Sequence, residues 1–109
     1  MHPLLSQQKL LRMARENNIQ VMAFSNFGSS SYVELGMTTP EESLMLLPQI
    51  TEIAQRYSKS AAQVLLRWAV QRGTTAIPKS VKTERLVENM TVFDFNLSQA
   101  EVAVINGLN

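Results

Sequence analysis

Cysteine is absent from this sequence, which excludes a disulfide framework and any thiolate metal centre. The single histidine, His2, is too little for a histidine-rich metal site. No apolar run approaches the roughly 20 residues of a membrane span. The opening Met1-His2-Pro3-Leu4-Leu5 also lacks the basic segment and long apolar stretch of a secretory leader. Charge of one sign is missing as well. Ten Lys and Arg against nine Asp and Glu leave a formal net charge of +1, so no global field draws nucleic acid or an anionic membrane. The expectation is a cytoplasmic chain whose partners are small molecules, with neither nucleic acid nor membrane among them.

What is present is a 109-residue chain, 45% hydrophobic and 17% charged, the composition of one globular unit. It shows no repeat, linker or low-complexity run, so residues 1–109 are expected to form one segment without an internal boundary. Ser6 to Asn17 predicts a helix with Leu10, Leu11, Met13 and Ala14 inward and a stop at Asn17-Asn18. Ile19 to Phe24 is a short β-rich run with apolar residues on both faces, as in a buried parallel strand. Ser25 to Thr39 is polar and glycine-containing, which predicts a loop. Thr39-Pro40-Glu41-Glu42 then has the pattern of a helix start. Ile50, Ile53, Ala54 and Tyr57 mark a further helix.

Ser60-Ala61-Ala62-Gln63 is a capping box opening a helix with Val64, Leu65, Trp68 and Ala69, which Gly73 can close. Thr74 to Ile77 predicts a second strand, and Pro78 forbids a regular ladder beyond it. Val81 to Met90 and a helix capped by Ser98 and Glu101, with Val102 and Ile105 inward, complete the order. Alternating strands and helices argue for a parallel sheet, yet two strands cannot bury both of their faces. The organisation is that of a piece of something larger.

The most informative stretch runs from Ile77 to Asn89. On a helix, Lys82, Arg85, Glu88 and Asn89 share one side, and Leu86, Val87 and Met90 another. The polar side lies beside a strand end and a helix N-terminus, where free N–H groups favour an anion. Lys79 and Arg85 add charge suited to phosphate, and Glu88 and Asn89 could hydrogen-bond a base. Spacing alone does not separate this from a solvated amphipathic helix. Helical spacing makes Trp68 core and the six Met gap fillers.

Ile77-Pro78-Lys79-Ser80-Val81, then Arg85, Glu88-Asn89 and Val92-Phe93-Asp94-Phe95, resemble the C-terminal signature of the aldo-keto reductases. His2-Pro3-Leu4-Leu5, Val21 to Ser29 and Ala61 to Trp68 match family segments around the sixth, seventh and eighth barrel strands. The loop from Phe27 to Leu35 is closest to the xylose and aldose reductase branch. The resemblance implies the C-terminal portion of a (β/α)8 TIM barrel, incomplete in this chain, and an NADPH-dependent oxidoreductase that reduces aldehydes and ketones to alcohols. It implies that Lys79, Ser80 and Arg85 hold the adenosine 2′-phosphate. Glu88 and Asn89 would face the adenine, with Val81 nearby through its backbone. Ser25, Phe27 and Ser29 would line the pyrophosphate. Phe24 replaces the usual Tyr that stacks on nicotinamide, keeping the π-face and losing the hydroxyl. Asn26 stands where Pro is common.

The family's catalytic Asp, Tyr, Lys and His lie upstream of anything matched here, and His2 falls outside that tetrad. The chain alone is therefore expected to be inactive, with carbonyl substrate bound only in a completed barrel. The alternative is a non-catalytic truncated product that pairs with itself or a full-length reductase through exposed strand edges. A third reading takes Ala61 to Met90 as a helix-turn-helix, against which stand Pro78, the β-rich Thr74 to Ile77 and the low net charge.

Overall fold

The computed structural model describes residues 1–28 and 44–109; Ser29 and the helix start at Thr39-Pro40 lie outside them. In chain order the elements are α1 (Gln8–Glu16), β1 (Met22–Ala23), a 3-10 turn (Leu44–Leu46), α2 (Pro48–Tyr57), α3 (Ala61–Gln71), β2 (Thr75–Ala76), α4 (Thr83–Met90) and α5 (Gln99–Asn106). The strands are parallel, with Met22 opposite Thr75 and Ala23 opposite Ala76. The ladder is extended by Thr75 N–H donating to Val21 O at 2.9 Å and Ile77 N–H to Ala23 O at 3.2 Å.

Both strands are shorter than their β-rich runs predict, and local bonds explain why. Ile19 N–H is taken by Ala14 O at 2.8 Å in the turn that closes α1, where Asn18 adopts a left-handed φ of 55°. Gln20 spends its amide on Gly73 O and Thr75 Oγ1. At the other end Pro78 has no N–H to continue the ladder.

Helix α3 is the anchor. Val64, Leu65, Leu66, Trp68 and Ala69 are buried against Ile50, Ile53 and Ala54 of α2, against Leu44, and against Val92, Phe95, Leu97 and Ile105. Large aliphatic side chains contribute roughly 1.5–3 kcal/mol each on full burial, so this cluster dominates the fold. The helix begins at the expected capping box: Ser60 Oγ accepts from Gln63 N–H at 3.1 Å and Gln63 Oε1 from Ser60 N–H at 3.0 Å. Its end is a Schellman turn, with Gly73 at φ 84°, Gly73 N–H on Val70 O and Thr74 N–H on Ala69 O. Trp68 is core as expected, its indole N–H satisfied by Asn106 Oδ1 at 2.9 Å.

The segment after α4 is stitched to α3 by side-chain amides. Gln71 exchanges two bonds with the Leu97 backbone at 3.1 and 2.7 Å, and Arg67 donates to Val92 O at 3.1 Å. Ser98 and Glu101 form the second capping box, and Ile105 is buried with Val102 half-buried beside it. In α1, Leu11 and Ala14 are buried while Leu10 and Met13 stay exposed, so its inward stripe is narrower than expected. The helix-turn-helix reading fails, because the parallel strand β2 separates α3 from α4.

Candidate functional site

The strands run parallel, so the segments following β1 and β2 emerge at one end of the sheet. After β1, Ser25 enters a left-handed φ of 52°. Gly28 (φ 63°) closes the turn, its N–H donating to Ser25 O at 3.0 Å. After β2, Pro78 ends the ladder and the chain turns into α4. Between these segments lies an open cleft of about 700 Å³.

Nine of the ten residues expected to meet the cofactor line it: Phe24, Ser25, Phe27, Lys79, Ser80, Val81, Arg85, Glu88 and Asn89. The tenth, Ser29, lies outside the described residues. Lys82 lines the cleft too, although the family resemblance gave it no role; its place on the helical wheel beside Arg85 was the available signal. So do Ala61 and Ala62, whose small side chains bring the first turn of α3 to the wall.

Among the described residues the cations in this cleft have no ion-pair partner. Among the described residues the ion pairs are Arg56 with Glu101 and Lys59 with Asp94; Lys79, Lys82 and Arg85 belong to neither. Helix α4 has no side-chain N-cap, so its first-turn N–H groups lack that partner. Ser80 is partly committed locally: its hydroxyl accepts from Lys82 N–H at 3.2 Å. Phe24 is 66% exposed at the rim, as a ring awaiting a stacking partner would be.

α4 carries this polar face without a single buried residue of its own. Gln63 holds it. Already committed to the α3 capping box through Oε1, this side chain donates through Nε2 to Glu88 O and Thr91 O, both at 3.1 Å. The link spans 25 residues or more in sequence and no local pattern announces it.

The other ionisable groups lie elsewhere. His2 is buried, its pKa lowered by burial and by the neighbouring chain amino group. Tyr57 donates to Glu101 between α2 and α5. Among the described residues, the cleft lining contains no Tyr, His or Asp. Among the described residues no group of three His, Cys, Asp or Glu could hold a metal, and no helix is long and apolar enough to cross a membrane.

Comparison with known proteins gives this geometry its context. The chain is 43% identical to the NADPH-dependent D-xylose reductase of Candida boidinii, and 39% identical to the NAD(P)H-dependent D-xylose reductase of Aspergillus niger. In each case the match covers 99% of this chain and 34% of the relative. Aldo-keto reductase family 1 member A1 of Bos taurus is 40% identical over 99% of this chain and 33% of its own length. An aldo/keto reductase crystal structure from Brucella melitensis superposes with a TM-score of 0.85 at 30% identity, covering 100% of this chain and 37% of that one. The chain thus spans about a third of the length of these relatives, and its strands and helices form part of an aldo-keto reductase (β/α)8 barrel. The aldo/keto reductase family model matches residues 1–109, so the chain belongs to the aldo/keto reductase family.

Proposed function

We propose that this chain carries the 2′-phosphate and adenine half of the NADPH site of a carbonyl-reducing oxidoreductase. The observation that carries the proposal is the convergence of Lys79, Lys82 and Arg85 on one cleft, outside the ion pairs formed among the described residues, beside the uncapped N-terminus of α4. Three cations and helix N–H groups that no side chain caps fit a dianionic phosphate by charge and donor type. In this reading Lys79, Arg85 and the Ser80 hydroxyl, as a donor, hold the phosphate, while the same hydroxyl accepts from Lys82 N–H in the turn beneath it. Glu88 and Asn89 offer an acceptor and a donor to the adenine edge. Phe24 supplies the π-face for a nicotinamide ring, and Ser25 and Phe27 flank the connecting phosphates.

Bound NADPH supplies a hydride; the carbonyl oxygen must also receive a proton from a positioned acid. Among the described residues the cleft lining offers no Tyr, His or Asp for that role, and the family's catalytic residues lie upstream of the segments matched here. The chain alone is therefore expected to bind the cofactor's phosphate end and to turn nothing over. Reduction of xylose or glyceraldehyde that persists through stringent repurification would refute the second half of that statement.

The binding half is tested by comparing 2′,5′-ADP with 5′-AMP, and NADPH with NADH, by amide chemical-shift titration of the 109-residue chain. The 2′-phosphate should strengthen binding, with the largest shifts over residues 79–89. A phosphate-paired guanidinium contributes about 1.5–3 kcal/mol. Arg85→Ala should therefore weaken the 2′-phosphorylated ligands roughly ten- to more than a hundredfold, leaving 5′-AMP and NADH little changed. Lys79→Ala should act in the same direction and more weakly, lacking the guanidinium fork. Equal losses for both ligand sets would mean that these residues hold the fold and not the phosphate.

A further inference from the structure

Asn26 lies between Ser25 and Phe27 on the β1 side of the cleft and belongs to its lining. It is only 3% exposed, and among the described residues neither its Oδ1 nor its Nδ2 has a hydrogen-bond partner. A carboxamide shut away from water without partners costs free energy that an outward rotamer would avoid. The neighbouring histidine does not relieve it. His2 packs on the same turn, its Nδ1 3.4 Å from where a Gly28 Cβ would stand, and that nitrogen is itself without a partner among the described residues. Nor does the amide close the turn. The backbone does that: Gly28 N–H donates to Ser25 O at 3.0 Å, with Ser25 and Gly28 at left-handed φ values of 52° and 63°. A buried polar side chain that bonds nothing in its own fold, set in the wall of a ligand cleft, calls for a partner from the ligand.

We propose that Asn26 binds the middle of the dinucleotide: Nδ2 donates to an oxygen of the diphosphate, and Oδ1 accepts from a hydroxyl of the adjoining ribose. This inference rests on the NADPH reading and extends it. Lys79, Lys82, Arg85, Glu88 and Asn89 line the cleft on the β2 side, and Phe24 stands at the rim on the β1 side. A dinucleotide reaching from one to the other carries its diphosphate past the turn of residues 25–28. The donor and acceptor types match. Diphosphate oxygens only accept and ribose hydroxyls donate, and a carboxamide offers a group for each. A donor already out of water gives up no hydrogen bond to reach the phosphate, so the full charge-assisted bond contributes to affinity. The family resemblance assigns nothing to this position, and the Pro common there has no such amide.

The test titrates the 109-residue chain with 5′-AMP, 2′,5′-ADP, ADP-ribose and NADH by amide chemical shift, with urea denaturation alongside. Asn26→Leu replaces the carboxamide by an apolar group of nearly the same shape. It should weaken ADP-ribose and NADH by one common factor, about tenfold or more for a lost charge-assisted bond. 5′-AMP and 2′,5′-ADP, which end at single phosphates, should be unchanged. The urea midpoint should hold or rise, because the variant removes a buried amide that the chain itself does not satisfy. That opposition distinguishes a binding residue from a structural one, for which stability and all four affinities would fall together. Asn26→Ala, which cannot overpack the site, should show the same selective loss. Unchanged ADP-ribose and NADH affinities in both variants would overturn the proposal. So would an unaltered chain that binds ADP-ribose no more tightly than 5′-AMP. Absence of any preference for 2′,5′-ADP over 5′-AMP would sink the 2′-phosphate reading instead, and a selective loss of ADP-ribose in Asn26→Leu would still support the part given to Asn26.

Discussion

Gly28 closes the turn after β1, and its place there is fixed by two independent constraints. Its φ of 63° is a conformation that L side chains rarely adopt, and an added Cβ would lie 2.6 Å from Leu44 Cδ1. Leu44 is fully buried in the core and has little room to move aside. Gly28→Ala should therefore cost about 1–3 kcal/mol from overpacking and backbone strain together, read as a lowered urea midpoint at unchanged slope. Two other residues set the response to acid. Burial pushes the Glu101 carboxyl up, but hydrogen bonds from Tyr57, Ser98 and Arg56 outweigh it and hold the pKa below the usual range. A carboxylate depressed in the folded state stabilises above its unfolded pKa of about 4.3 and loses that contribution as pH falls through the folded value. His2 is a base whose folded pKa is lowered, so the unfolded chain takes up its proton first. Its stabilisation is present above about 6.5 and declines below it. Urea denaturation against pH should thus show losses in two windows. His2→Asn should flatten the upper one and Glu101→Gln the lower. The lower slope should persist in part, because Lys59 depresses Asp94 in the same direction. A single transition near pH 4 would contradict the part given to His2.

At the scale of elements, α4 depends on a residue of another helix. Gln63 is buried and uses its carbonyl in the α3 capping box and its amide on two α4-terminal carbonyls. Gln63→Leu would leave those carbonyls without the donor and remove half of the box, a cost of about 1–3 kcal/mol. Gln63→Glu restores the acceptor to Ser60 N–H but presents an acceptor to Glu88 O and Thr91 O. If α4 is positioned in this way, Gln63→Glu should disturb amide shifts over residues 83–91 and weaken 2′,5′-ADP, while Trp68 fluorescence reports an intact core. Much of this architecture was legible in sequence because its signals are local. The Ser60–Gln63 and Ser98–Glu101 boxes each lie within four residues, and Gly73 ends α3 where its freedom of φ is needed. The cleft residues were found because they sit in two short stretches that parallel strands bring to one end. The illegible parts are those decided at a distance. Strand lengths depend on partners, and Ile19 lost its place in β1 to the α1 terminus. The side shared by Leu86, Val87 and Met90 exists as an exposed stripe that meets no core among the described residues. The Gln63 clasp follows from tertiary packing alone.

For the whole molecule, stability is unevenly distributed, and hydrogen exchange should show it. The buried cluster joins α2, α3, α5 and the 92–97 segment, whereas the sheet consists of four paired residues with one face uncovered. Local opening takes the least free energy where few apolar contacts are lost, so protection should follow burial. The amides of Leu65, Leu66 and Trp68 are expected to exchange only through global unfolding. Those of Thr75 and Ile77, although hydrogen-bonded to Val21 and Ala23, should exchange faster by sub-global opening of the strand pair, as should the α4 amides from Val87 to Met90. Measured by mass spectrometry, the faster-exchanging peptides should be those containing residues 19–24, 75–77 and 83–93, and the slowest those of α3. Uniform protection of the free chain would mean that the strand pair and α4 are already as stable as the core.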